Sequence, residues 1–260
     1  MKIIELNKII KGCCRCGLSE TRTNAICGEG NPNAKIMLVA QAPGEKEDKE
    51  GRMFVGPTGK VLDDIFNIVG ISRNEFYMTN LIKCMLPDYR KPKRLEIEAC
   101  GYYLNREIEI VNPEILVPLG YYATRFIFEK YGLSLPPKAE FSSIYGKLFL
   151  ANERKVLPLQ HPSSVLYNPE NKQTLIRTYR KLMVLRNYCK WHKGCPMRRF
   201  YVAGKLDKKW IELYCKGDWE MCIRYQMEER GEYHPDWMLP DGSLDQNLKS
   251  ETENIQHTCG

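Results

Sequence analysis

Two sets of cysteines and one acidic turn carry the residue types in this chain most suited to chemistry. Cys13-x2-Cys16 is a two-ligand hook of the kind that recurs in zinc and iron–sulfur sites, and Cys84 and Cys100 supply a second pair. Four thiolates from these two segments could close one site. Their spacing alone does not separate zinc from a [4Fe–4S] cluster, and packing of Cys84 and Cys100 as small apolar side chains is the competing reading. A further four thiolates, Cys189, Cys195, Cys215 and Cys222, fall in a short stretch near the C-terminus. Between them, an apolar run ends at Ala40 and passes through Gln41 and a Pro-Gly turn to Glu45, Glu47 and Asp48. In an open α/β sheet, ligands bind beyond the carboxyl ends of the strands. Side chains delivered there can do acid, base or electrostatic work, and a solvated acidic turn is the alternative.

The elements needed to position these residues are legible as short apolar runs alternating with helical periodicity. Strand-length runs are read at Ile36–Ala40, Phe76–Ile82, Glu114–Leu119, Lys147–Leu150 and Val156–Leu159. Helical stretches are read at Met1–Ile10, from Val61 through Val69, and at Arg94–Val111, Tyr121–Tyr131 and Lys172–Tyr188. Gly28–Asn33 reads as a turn. The alternation predicts a three-layer α/β/α sandwich around a mostly parallel sheet, covered on both faces.

From Cys189 the composition changes, and all four tryptophans lie beyond this point. The expected organisation is a core domain over 1–186, a small Cys/Trp-rich module over 187–245 and a flexible polar tail over 246–260. So small a module would struggle to fold without a staple, so Cys189, Cys195, Cys215 and Cys222 are read as a second metal site, zinc or iron–sulfur. His192 and His234 are alternative ligands, and the module could dock DNA or a protein partner.

Composition narrows the classes further. The net charge of +7 is uneven: residues 1–186 hold 28 Lys+Arg against 20 Asp+Glu, whereas residues 187–260 hold 11 against 12. A basic core favours a polyanionic partner. No run approaches the roughly 20 apolar residues of a membrane span, and no signal-peptide pattern opens the chain, so an intracellular, cytoplasmic protein with no membrane partner is expected. Eleven cysteines in that setting favour metal ligation over disulfides.

In order, the chain carries Cys13-x2-Cys16, Gly28-Glu29-Gly30-Asn31-Pro32, Ala42-Pro43-Gly44-Glu45-x-Glu47-Asp48, Gly51-Arg52-x-Phe54-Val55-Gly56, Thr79-Asn80-x-x-Lys83-Cys84, Cys100 and His161-Pro162-Ser163. As an ordered set over residues 13 to about 186, these resemble the family 4, iron–sulfur uracil-DNA glycosylases. The resemblance implies a structural [4Fe–4S] cluster on Cys13, Cys16, Cys84 and Cys100, with Cys14 and Cys27 outside the ligand set. It also implies a monofunctional glycosylase that removes uracil from deaminated DNA in base excision repair. Such an enzyme takes the base out of the stack into a pocket. Phe54 is then the stacking wall, and Asn80 the reader of uracil O4 and N3–H. His161 donates to O2 as negative charge develops on the leaving base. Glu47 crowds the C5 position and is the carboxylate of the site, ahead of Glu45 and Asp48. Ala42 lines the pocket, Ser163 and Ser164 are placed to donate to phosphate, and Leu166 to wedge into the vacated stack. Backbone N–H groups of Gly44 and of Gly56–Gly59 are further phosphate candidates. The basic loop of Arg90, Lys91, Lys93 and Arg94 is a candidate track for the strand.

One position departs from the family. Gln41 stands where the family usually has Glu, and an amide positions water or hydrogen-bonds a base but carries no charge. The 16-residue step from Cys84 to Cys100 contains no histidine, unlike the related branch that attaches covalently to DNA. A catalytically weakened deaminated-base binder or damage adaptor is the alternative function, and an iron–sulfur redox enzyme unrelated to DNA a more distant one. A monomer is expected.

Overall fold

The computed structural model describes residues 1–152 and 154–250. They divide into two compact units, Met1–Arg180 and the chain from Lys181 onward.

The first unit is built on strands β1 (Glu29–Gly30), β2 (Ile36–Ala40), β3 (Phe76–Asn80), β4 (Ile115–Pro118), β5 (Phe149–Ala151) and β6 (Arg154–Val156), in the order β1-β3-β2-β4-β6-β5. The pairs β3·β2, β2·β4 and β4·β6 are parallel; the outer pairs β1·β3 and β5·β6 are antiparallel. Every residue of β2, β3 and β4 is buried, as expected of central strands covered on both faces. Helices α1 (Ile3–Lys11), α4 (Arg94–Val111) and α5 (Tyr121–Tyr131) share one core with Met37, Val39, Tyr77 and Leu116. The alternate residues face the other way, where Phe66 of α3 (Pro57–Val69) lies 5.2 Å from the Phe76 ring and 6.5 Å from that of Tyr179 in α7 (Asn171–Val184). This is the expected α/β/α sandwich.

Four details differ from the sequence reading. Glu45–Glu50 is a short helix, α2, in place of a turn: Gly44 enters it extended, and three carboxylates in its first turn complement the helix dipole. Gly30 lies in an edge strand with φ of 106°, and a Cβ there would stand 2.2 Å from the Phe76 carbonyl oxygen, so glycine lets β1 close on β3. The strand expected at Val156–Leu159 is regular only over Arg154–Val156, since Pro158 has no N–H to donate. Pairing nevertheless continues, through Leu157 N–H to Leu116 O, Leu159 N–H to Pro118 O and Gly120 N–H to Leu159 O, each 2.9 Å.

The fourth concerns the domains. The units divide within α7, ahead of the composition shift at 187, because Lys181 already pairs with Asp218. The second unit has its own small core of Met197, Phe200, Leu206, Ile211, Cys215, Leu239 and Leu248. It is made of α8 (Pro196–Val202), α9 (Lys208–Trp210) running into a π-helical turn (Ile211–Cys215), and α10 (Ile223–Glu229). Residues 246–250, expected in the tail, are helical and bury Leu248; the rest of that tail, 251–260, lies outside the described residues. Among the described residues no helix is long and apolar enough to cross a membrane.

Candidate active site

The register brings four strand ends to one edge of the sheet. Ala40 pairs with Asn80 and Val39 with Pro118, and a bridge joins Leu119 to Leu159. Gln41, Asn80, Gly120 and His161 therefore emerge side by side. They line a cavity of about 550 Å3 together with Ala42, Glu47, Phe54, Ser163 and Leu166, whereas Asp48, the lesser carboxylate candidate, does not line it. Met53, Tyr89, Arg90, Tyr121 and Tyr167 complete much of the wall and were not foreseen as pocket residues, apart from Arg90 in its basic loop.

Gln41 is fixed by its backbone. Ile82 N–H donates to its carbonyl (2.9 Å) and Leu81 N–H to that of Ala40 (2.8 Å), tying the end of β2 to the turn after β3. That turn is held from inside by a buried ion pair. Lys83 Nζ lies 2.5 Å from Glu107 Oε2, and the two side chains are 2 % and 0 % exposed. The same ammonium donates to Thr79 Oγ1 (2.6 Å) and to the Asn80 carbonyl (2.8 Å), while Thr79 Oγ1 donates to Glu107 (2.8 Å). Lys83 thus braces the backbone that presents Asn80, whose amide nitrogen is 3.1 Å from Met53 Sδ. Burial and the neighbouring Glu107 carboxylate push the Tyr77 hydroxyl far above its ordinary range, so it stays neutral and donates to Glu107 (3.4 Å).

Phe54 is buried with a left-handed backbone, φ 52°, a conformation that costs free energy and persists only where the surroundings enforce it. Arg73 Nη2 donates to the Phe54 carbonyl (2.8 Å) while the guanidinium pairs with Asp63 (2.5 and 3.0 Å). Gly59 closes the clamp: a Cβ there would come within 1.8 Å of the Phe54 oxygen.

The three carboxylates of α2 separate by direction. Glu47 is buried and accepts the Gly56 N–H (2.8 Å). Asp48 points elsewhere, accepting the N–H groups of Thr23 (2.8 Å) and Asn24 (3.2 Å). Glu45 is exposed and pairs with Lys49. The Gly56 N–H is consequently committed to Glu47 and is not free for a phosphate.

His161 is half-buried, and desolvation pushes its imidazolium down to about 4, so the ring is neutral at neutral pH. Its Nδ1 accepts the Ser163 N–H (3.3 Å) and lies 2.8 Å from Ser163 Oγ, which places the ring proton on Nε2. Ser163, expected at a phosphate, also contacts the imidazole through its N–H and hydroxyl. Leu166, 48 % exposed, and Tyr167, 86 % exposed, stand at the mouth on α6 (Ser164–Tyr167). In the basic loop, Arg90 is occupied by Glu96 (2.5 and 2.9 Å) and Arg94 by Glu98 (2.7 Å).

Behind β3, the first four thiols converge. The electrostatic neighbours of Cys84 include Cys13 and Cys16, and those of Cys100 include Cys84 and Cys16. Arg22 Nη1 donates to Cys84 Sγ (3.2 Å) and Nη2 to the Cys13 carbonyl (2.6 Å), while Arg15 N–H approaches Cys13 Sγ (3.5 Å). A guanidinium and an N–H on sulfur suit an anionic thiolate assembly. Among the described residues no three Cys, His, Asp or Glu side chains close around a single-ion position. Four thiols contributed by three segments are a donor set that a [4Fe–4S] cluster would accept. Cys14 is exposed, and Cys27 donates to the Asn7 carbonyl (3.4 Å), its thiol pushed up to about 11 by burial.

The uracil DNA glycosylase superfamily model matches residues 27–183, which is more than half of the chain. The chain belongs to that superfamily. Three relatives, each a type-4 uracil-DNA glycosylase, place it in the type-4 branch. The protein of Sulfurisphaera tokodaii is 39% identical over 186 residues, covering 70% of this chain and 83% of its own length. That of Saccharolobus solfataricus is 39% identical over 66% of this chain and 81% of its own length. That of Archaeoglobus fulgidus is 36% identical over 66% of this chain and 87% of its own length. The superfamily match ends at residue 183, so it leaves the Cys/Trp-rich unit of this glycosylase-superfamily member almost wholly uncovered.

Proposed function

We propose that this protein is a monofunctional uracil-DNA glycosylase, hydrolysing the bond between uracil and deoxyribose in deaminated DNA and leaving an abasic site. The observation that carries the reading is the convergence of Phe54, Asn80 and His161, with Glu47, in one cavity at the carboxyl edge of the sheet. An extruded uracil stacks on Phe54, whose clamped backbone keeps the ring from following the base. The Asn80 amide offers a donor to O4 and an acceptor to N3–H, a pattern that cytosine opposes. As the glycosidic bond lengthens, negative charge moves onto the base. The neutral His161 donates from Nε2 to O2, in a geometry set by Ser163 before the substrate arrives. Water adds to C1′ of the cationic sugar, the bond electrons leave with N1, and the base takes up a proton. Glu47 supplies the nearby negative charge and Gln41 orients the water. Leu166 fills the vacated stack.

Cys13, Cys16, Cys84 and Cys100 would hold a [4Fe–4S] cluster, which when bound joins the N-terminal segment to the turn after β3 and to α4. Its role here is structural.

Base release from single-stranded and U·G DNA, compared with hypoxanthine and xanthine substrates, tests the assignment. Wild-type protein should release uracil, and Phe54→Ala and His161→Ala should each lose at least about 100-fold. A protein with full iron content that releases no uracil would overturn the reading. A second reading, a deaminated-base binder, is favoured by the uncharged Gln41 at the water position. Tight binding to uracil-containing DNA without turnover would select it.

A further inference from the structure

The uncovered C-terminal unit holds a second cavity, of about 220 Å3, and all four of its described cysteines line it. They come from three separate pieces of chain. Cys189 and Cys195 bracket a tight turn closed by Cys195 N–H to Trp191 O (2.9 Å); Cys215 ends the π-helical turn; Cys222 caps α10. Cys189 N–H donates to the Cys215 carbonyl (2.8 Å), drawing the first two pieces together. Backbone N–H groups of Trp191 and His192 are directed at the Cys189 sulfur, and those of Arg224 and Tyr225 at the Cys222 sulfur.

An independent observation comes from Arg224, which lines the same cavity and is 2 % exposed. Its Nη1 is satisfied by the carbonyls of Pro235, Asp236 and Met238. Its Nε and Nη2 are buried with no hydrogen-bond partner. A buried guanidinium with two unmet donors is costly unless an anion receives them. Protonated thiols would not, whereas four thiolates around a metal centre would.

The size of that centre follows from the donors. The four sulfurs are electrostatic neighbours of one another around the cavity. Sulfurs around one zinc stand about 3.8 Å apart, given bonds of about 2.3 Å. A cavity ringed by four cysteines and walled by Trp191, Trp219 and Tyr225 instead suits a body of several atoms, shielded from water. His234 also reaches the cavity, its Nε2 3.0 Å from Glu228 Oε1 and neither ring nitrogen hydrogen-bonded, and His192 does not line it.

We infer that Cys189, Cys195, Cys215 and Cys222 bind a second [4Fe–4S] cluster, with Arg224 as its charge partner, so that each unit of the chain carries one. The inference is independent of the glycosylase reading, because it is read as metal content and not as base release.

The test is quantification of iron, acid-labile sulfide and zinc in the full-length protein purified without oxygen. The expected result is about eight iron and about eight sulfide per chain without zinc, against about four of each for a single cluster. Cys195→Ser and Cys222→Ser should each reduce the iron to about half, and Cys13→Ser should leave the other half in place. About four iron per wild-type chain overturns the inference, whether accompanied by one zinc or by four free thiols in the C-terminal unit. The wild-type count, read beside alkylation mapping of which cysteines are free, decides without any variant, so misfolding of a cysteine variant does not protect the idea. Uracil release on the same preparation reports separately on the first unit.

Discussion

Replacing Glu107 with Gln tests how the pocket is held from below. The substitution keeps shape and removes charge from a carboxylate that is wholly buried and receives Lys83, Thr79 and Tyr77. Lys83, itself buried, is then left without its counter-charge. Removing one partner of such a pair costs about 3–5 kcal/mol. With a urea m-value of about 2 kcal/mol per M, the unfolding midpoint should fall by about 2 M. Lys83→Met with Glu107→Leu removes both charges, and its midpoint should recover to within about 0.5 M of wild type. Base selection should not recover with it, because the Asn80 carbonyl has lost the ammonium that braces it (2.8 Å). The assay is urea unfolding followed by circular dichroism, beside uracil and cytosine release, on preparations matched for iron. A single variant within about 0.5 M of wild type would refute the reasoning, as would a double variant as unstable as the single.

Three further outcomes are expected. Gly59→Ala should destabilise the first unit by several kcal/mol, about 3 or more, and abolish uracil release, because its Cβ would lie 1.8 Å from the Phe54 oxygen; thermal melts and base release check both. His161, with a folded pKa of about 4 against an ordinary 6.5, should contribute stability that is full above pH 6.5 and is lost as pH falls from there towards 4, where the unfolded chain binds the proton first. Urea midpoints across that range should fall less in His161→Ala, and wild-type turnover should show no imidazole limb near pH 6.5. Gln41→Glu should raise the rate of uracil release about 10-fold or more by placing a charge beside the cationic sugar; single-turnover kinetics measure it.

Much of the fold was legible because β2, β3 and β4 are uninterrupted apolar runs, the pattern of strands buried on both faces. Part of the cavity lining was legible because Asn80 ends β3 and Gln41 and Ala42 follow β2 directly. What escaped was set by partners distant in sequence. Nothing local marks Lys83 for Glu107, 24 residues away, or Arg73 for the Phe54 carbonyl. The left-handed φ of Phe54 accompanies a close approach of its oxygen to Gly59 that only glycine permits, and neither is marked in the local sequence. Ser163 also holds the His161 ring, a contact that nothing in the His-Pro-Ser run marks. The division of the units at Arg180 lies inside a helix whose periodicity runs straight through it. Composition marks the change only later.

The opposed aim of two neighbouring side chains on α2 has a practical consequence. Glu47 holds the Gly56 loop beside the base pocket, while Asp48 holds Thr23 and Asn24, next to the arginine that caps the Cys84 sulfur. A single helical turn therefore couples the fate of the thiol-bearing segment to the shape of the pocket. With the proposed cluster on these thiols, protein handled in air, or refolded without iron and sulfide, would slacken that segment first and the pocket with it. An aerobic preparation could thus score as inactive on uracil for a reason unrelated to its chemistry, and oxygen history belongs beside every rate measured for this chain.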